Sequence, residues 1–208
     1  MKKLLLFFLN VFIITTICAD NYKVLYVNSP SVKIDNKKCV KGMIFSDVSQ
    51  VMWPHKGMQA IKALNMESKV IELFVSIKKE QQKGSVMDYY IRNNHLSTRG
   101  DMQLGNLNDL AKILNDKFYL INDTIEIDPP INLKDGRFFY VTFEQNGIIK
   151  SKELPHEGRT LFITRSLLEC NKKTSAEINV KVFFSSEIEK DYLLTDSMRI
   201  YVFPLLVK

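Results

Sequence analysis

Glycine is scarce in this chain, at eight of 208 residues. That leaves little material for loops that cradle phosphate, and neither a phosphate loop nor a dinucleotide fingerprint occurs. A Gly-x-Ser-x-Gly nucleophile elbow is missing as well. The three histidines, His55, His95 and His156, fall in turn-like sequence. None has a cysteine or carboxylate cluster at ligand spacing, so no zinc motif is present. Cys39 with His55 or His156 is the remaining combination for a thiol nucleophile, and no local signature surrounds that cysteine. From these gaps the chain is expected to have no catalytic residues, no cofactor and no metal.

Concentrated charge is also lacking. The formal net charge is +6. The basic residues scatter among separate turns: Lys37, Lys38 and Lys41, then Lys78, Lys79 and Lys83, then Lys172 and Lys173. A nucleic-acid protein gathers its cations on one face, so nucleic acid is not an expected partner. No apolar run reaches the ~20 residues that span a bilayer comfortably.

What the chain does have is a leader. Lys2 and Lys3 precede an apolar stretch from Leu4 to Ile17, then Cys18-Ala19, and polar sequence starts at Asp20. This order is that of a secretory signal peptide, residues 1–19, with export to the periplasm or cell surface. The mature chain would keep 189 residues, with 27 basic and 23 acidic side chains. Cys18 has a second reading as the acylated residue of a lipoprotein signal, against which the bulk of Ile17 weighs. Membrane contact is expected only through the leader, or through a lipidated Cys18. Cys39 and Cys170 then remain. Export permits a disulfide between them, but their separation in sequence favours two independent thiols.

The pattern beyond the leader is mainly β. Residues 20–83 read as a small β-barrel or sandwich unit of short strands, including a hairpin around Asp35–Lys38 and another around Asn65–Ser68. Lys78 to Gly84 is polar throughout and reads as a linker. Residues 84–116 read as a short helical connector. Ser85 and Asp88 make a capping-box pattern for a helix over Val86 to Asn93, and Asn106 caps a second with Leu107, Leu110, Ala111 and Leu114 at helical spacing. Residues 117–208 read as an immunoglobulin-like β-sandwich. Its clearest hairpin joins Arg137–Gln145 to Ile148–Leu154 through Asn146-Gly147, a pair that tolerates positive φ at both turn positions.

Glu126 and Asp128 share one strand face and alternate with Ile125 and Ile127, the pattern of a solvated face over a core. Aromatic residues crowd later strands. Phe139, Val141 and Phe143 share one face of their strand, and Phe138 and Tyr140 the other. Both faces are therefore apolar. Either the strand is central with an extra cover such as the Leu107–Leu114 helix, or an aromatic surface stays open. Phe138, Tyr140, Phe183 and Tyr201 are the candidate binding surface. Arg99-Gly100-Asp101 spells an integrin-read tripeptide, which chance alone supplies in chains of this length.

Lys41-Gly42-x-x-Phe45-Ser46, Met52-Trp53 and the His95-Leu96-Ser97-Thr98-Arg99 segment resemble a set of uncharacterised exported β-rich proteins of Bacteroidetes-type bacteria. The resemblance implies a Gram-negative periplasm or cell surface and attaches no activity. It also implies O-glycosylation at Asp123-Thr124-Ile125 and Asp196-Ser197-Met198. The expectation is an exported, non-catalytic binding or scaffolding protein of the cell envelope, with another envelope protein or a glycan as partner. An envelope hydrolase whose site is assembled from distant residues is the alternative.

Overall fold

The computed structural model describes residues 19–54, 57–78, 80–91, 106–122, 124–133, 136–188 and 190–206. The leader, His55, His95, the Arg99–Asp101 tripeptide and Asp123 lie outside these residues. The chain is mainly β; among the described residues it has several largely antiparallel sheets and one α-helix, and none of these sheets closes into a barrel.

The amino-terminal strands are β1 (Asn21–Val27), β2 (Lys33–Ile34), β3 (Lys37–Lys38), β4 (Ile44–Ser46) and β5 (Gln50–Trp53). Then come β6 (Gln59–Asn65), β7 (Ile71–Ser76), β8 (Gln82–Ser85) and β9 (Tyr90–Ile91). They form two open sheets, β4-β1-β6-β7-β9 and β3-β2-β5-β8. Val24, Ile34, Val51, Trp53, Ile61 and Phe74 share one core between them. Turn chemistry sets the register. Asp35 and Asn36 take the left-handed φ values +49° and +64° between β2 and β3, which short polar side chains tolerate. Asn65 Oδ1 accepts from the amides of Glu67 and Ser68 at 2.9 and 3.1 Å, an Asx turn that reverses β6 into β7.

Two sequence expectations change here. The polar run from Lys78 to Gly84 is not only a linker, because β8 pairs with β5 from Gln50↔Ser85 to Trp53↔Gln82. The boundary drawn at residue 83 therefore falls inside a paired strand. Polar composition misled because β8 gets its stability from backbone bonds to a neighbour rather than from apolar side chains. The helix expected from Val86 is a single 3₁₀ turn, Val86–Tyr89, capped by Ser85 Oγ on the Met87 amide. Tyr90 then turns extended and joins the sheet against Phe74. The strand edge at β7 won over local helix preference, as tertiary context commonly does.

Helix α1 (Leu107–Leu114) follows, capped by Asn106 Oδ1 on the Asp109 amide at 3.1 Å. The later strands are β10 (Lys117–Leu120), β11 (Ile125–Ile127), β12 (Phe138–Gln145), β13 (Ile148–Glu153), β14 (His156–Glu157), β15 (Thr160–Ile163), β16 (Ala176–Ser185) and β17 (Tyr192–Val202). One sheet runs β10-β17-β16-β12-β13 and the other β11-β15-β14. Phe139, Val141, Val180 and Val182 from the first meet Ile125, Ile127, Leu161 and Ile163 from the second. Leu110 and Leu114 bring α1 into the same core. The helix therefore covers the inner face, not the Phe138–Tyr140 face. The β10–β17 pair is parallel, which the hairpin-based reading did not anticipate.

The β12–β13 hairpin forms as expected, with Gln145 opposite Ile148. Asn146 and Gly147 both have positive φ, +53° and +78°. A Cβ at Gly147 would meet nothing within 4 Å. The penalty for a side chain there is conformational and not steric crowding. Gly147→Val should destabilise the chain by about 1–3 kcal/mol, lowering the melting temperature by roughly 2–4 °C per kcal/mol. Asn146→Gly should leave it nearly unchanged. Equal melting temperatures for Gly147→Val and wild type would show that the turn is of another type.

Candidate interaction surface

The five-stranded sheet has an inner face in the core and an outer face whose two ends differ. Pairing aligns Glu153, Tyr140, Phe183 and Leu193 as one cross-strand row over β13, β12, β16 and β17. Directly opposed residues share a face, and the alternation that buries Phe139 and Val141 turns this row outward. The Tyr140 and Phe183 rings are parallel at a centroid distance of 4.8 Å with 4° between their planes. Phe138 leans on Tyr140 at 6.1 Å. All three rings are half-buried. Leu193 is 45 % exposed, and Ile188 in the loop before it is 97 % exposed. Leu193 is the directly opposed neighbour of Phe183 on this face.

Asp191 gives the row its polar end. Its backbone is left-handed, with φ +56°, and its Oδ1 accepts from the Tyr140 hydroxyl at 2.7 Å. Desolvation first, then the hydrogen bond and negative charge of Asp191, push the Tyr140 phenol up to about 12. The neutral phenol is thus the form the fold holds. Its share of stability is fully present below the free-tyrosine value near 10 and is lost as pH rises through about 12.

The fourth residue named from sequence, Tyr201, is elsewhere. It is 4 % exposed, stacks on Tyr119 at 5.5 Å and donates to Glu177 Oε1 at 3.1 Å. It sits in a cluster with Ala60, Leu73 and Val75 of the amino-terminal strands. The sequence showed an aromatic residue in a late strand but not its cover, which comes from strands more than a hundred residues earlier. Leu193, Ile188 and Asp191 were not singled out from sequence. Their signal was present only as register, since Leu193 lies opposite Phe183.

Chemistry elsewhere is muted. Cys39 and Cys170 are free thiols, one buried and one half-buried. Burial pushes the Cys39 thiol up to about 12. Burial also raises Cys170, with Arg165 opposing it. A nucleophilic cysteine needs the reverse shift. Glu126 is exposed, and Asp128 accepts from Thr160 Oγ1 at 2.6 Å. His156 is exposed and its ring turns back to the Gly158 carbonyl. An open cleft of about 540 Å³ brings Thr164, Ser166, Cys170 and Lys172 together near Arg165. There the Thr164 and Ser166 hydroxyls bond each other at 2.9 Å, and the Arg165 guanidinium donates to the carbonyls of Leu120, Ile121 and Phe203. Among the described residues no group of three or more His, Cys, Asp or Glu could hold a metal ion. Among the same residues no helix is long and apolar enough to cross a membrane.

Asp191→Asn should lower the Tyr140 titration from about 12 toward the free-tyrosine value, followed by NMR of the Tyr ring carbons with Tyr140→Phe as assignment control. An unmoved titration would break the Tyr140–Asp191 pairing. In the native protein a thiol reagent should label Cys170 well before Cys39, and faster labelling of Cys39 would contradict its burial. No protein-family model, curated protein or solved structure matches this chain, so the functional reading rests on the surface itself.

Proposed function

We propose that the chain is an exported, non-catalytic binding protein of the cell envelope that engages a partner protein through the surface made by Phe138 and the Tyr140, Phe183 and Leu193 row. The observation that carries this reading is that surface's position. It lies on the outer face of a sheet whose inner face is already packed, and no described core cluster includes its four residues. Interfaces favour aromatic residues in such positions.

A protein fits the row better than a glycan does. Sugar binding by aromatic residues uses free ring faces. Here Tyr140 and Phe183 spend one face each on the other, and Phe138 leans on Tyr140. Leu193 beside Phe183 adds exposed aliphatic surface, suited to side chains packing in. The hydrolase alternative has its best material in the Arg165 cleft, where the thiol is raised and the two hydroxyls are bonded to each other.

The same reading takes the later strands as an immunoglobulin-like unit. Lettered A to G in chain order, with one extra strand after C, the sheets follow A-G-F-C-C′ and B-E-D. That places C, F and G together as in immunoglobulin sandwiches. The chain departs from antibody domains in having neither an inter-sheet disulfide nor a tryptophan on the C strand, since Cys39 and Cys170 are free and Trp53 lies on β5. Export through the residue 1–19 leader puts this unit in the periplasm or at the surface, with Asp20 as the mature terminus.

A photo-crosslinking residue at Thr142, one row along the outer face, should give a discrete protein adduct in intact cells. The adduct should disappear in Tyr140→Ala/Phe183→Ala. The same probe at Glu126, on the opposite sheet, should give none. Absence of an adduct at 142, or equal adducts at both positions, would reject the assignment. Terminal sequencing of the exported chain should begin at Asp20; an intact Met1 or an acylated Cys18 would reject the processing.

A further inference from the structure

We infer that the carboxy-terminal residues Phe203–Leu206 are an intramolecular strap that makes the amino-terminal sheets and the later sandwich unfold as one cooperative body. The polar sequence near residue 80 points to two separable units, and the contacts made after β17 point the other way. On the later side the strap is held firmly. Phe203 N donates to Leu120 O at 2.9 Å, Leu205 N to Lys172 O at 2.7 Å, and Arg165 donates to the Phe203 carbonyl. On the earlier side it reaches Asn28 and Tyr26. Asn28 Nδ2 donates to Pro204 O at 3.2 Å and to Met58 O at 3.0 Å. Its Oδ1 accepts from Ala60 N at 2.8 Å. Leu206 N donates to the Tyr26 hydroxyl at 3.2 Å.

Asn28 is only 5 % exposed. A buried amide of this kind is costly unless its donors and acceptor are met, and here a strap residue meets one of them. Apolar packing follows the same seam. Ala60, Leu73 and Val75 share a cluster with Ile121, Tyr201 and Phe203, and Phe203 is fully buried. Tyr119 and Tyr201 stack at 15° in the same place. Removing the strap exposes this cluster and strands the Asn28 side chain together. The two losses are coupled, which is what turns a contact between two units into a single unfolding event. The strap also fixes which end of the outer face is covered, leaving the Tyr140–Phe183 end open among the described residues.

Calorimetry of the mature chain should show one transition. A chain ending at Val202, and separately Asn28→Ala, should show two transitions, or one displaced downward by on the order of 5 °C. Two independent transitions in the intact chain, or an unchanged single transition in both variants, would overturn the inference. Should the truncated chain fail to fold, hydrogen exchange on the intact chain decides. The Ala60 and Phe203 amides should exchange with the same protection as the Val141 and Val182 amides; exchange at least a hundredfold faster at Ala60 and Phe203 would refute the strap.

Discussion

A sheet that is apolar on both faces needs two covers, and the architecture follows from that constraint. Strands β12, β16 and β17 carry the alternation. Phe139, Val141, Val182 and Ile200 point to one side, and Tyr140, Phe183 and Tyr201 to the other. The inner side is closed by the three-stranded sheet and by Leu110 and Leu114 of the helix. Among the described residues the outer side is closed at the Tyr201 end, by Ala60, Leu73 and Val75. Fully burying a large apolar side chain is worth roughly 1.5–3 kcal/mol, so each end of this face strongly prefers a cover. The fold supplies one of them from its own chain.

The sequence made local features legible in proportion to how locally they are determined. Asn146-Gly147 was readable because positive φ at two adjacent residues is a property of those residues alone. The Asn106 cap and its helix were readable for the same reason. Strand β8 and the parallel β10–β17 pair were not readable. Their stability comes from backbone bonds to strands distant in sequence, and backbone bonding leaves no composition signal. The 3₁₀ turn at Val86–Tyr89 shows both sides of this. Its Ser85 cap was visible, while its early end depended on Phe74 waiting across the sheet.

The candidate surface divides along the same line. Alternation set Phe138 and Tyr140 on the face opposite Phe139 and Val141, and Phe183 and Tyr201 were readable only as further aromatic residues in later strands. Whether an outward face meets solvent or another part of the chain depends on long-range packing. Three of the four form one aromatic group at one end of the sheet, and Tyr201 is buried at the other. Asp191 enters the group through a left-handed residue in the loop before β17, where the side chain's reach to Tyr140 is set by that one backbone conformation.

If the row is the proposed binding surface, the stacked pair is what would let it stay open without collapsing the fold or promoting indiscriminate association. Each ring shields one face of the other, and the Tyr140 hydroxyl is bonded to Asp191. Much of the apolar area is thereby removed from water before any partner arrives, and the rings are held in one arrangement. Pre-ordering of this kind lowers the entropy lost on association. Glu153 flanks Tyr140 at the β13 end of the row, and Asp191 holds the Tyr140 hydroxyl, so carboxylates border the ring pair on that side. The open edge beside the row is blunted as well. Lys150 and Lys152 on β13 both pair with Glu169, and lysines on an edge strand oppose strand addition. On the proposed reading, association would use the face and not the edge, because a face held by fixed rings is a more selective contact than an exposed backbone.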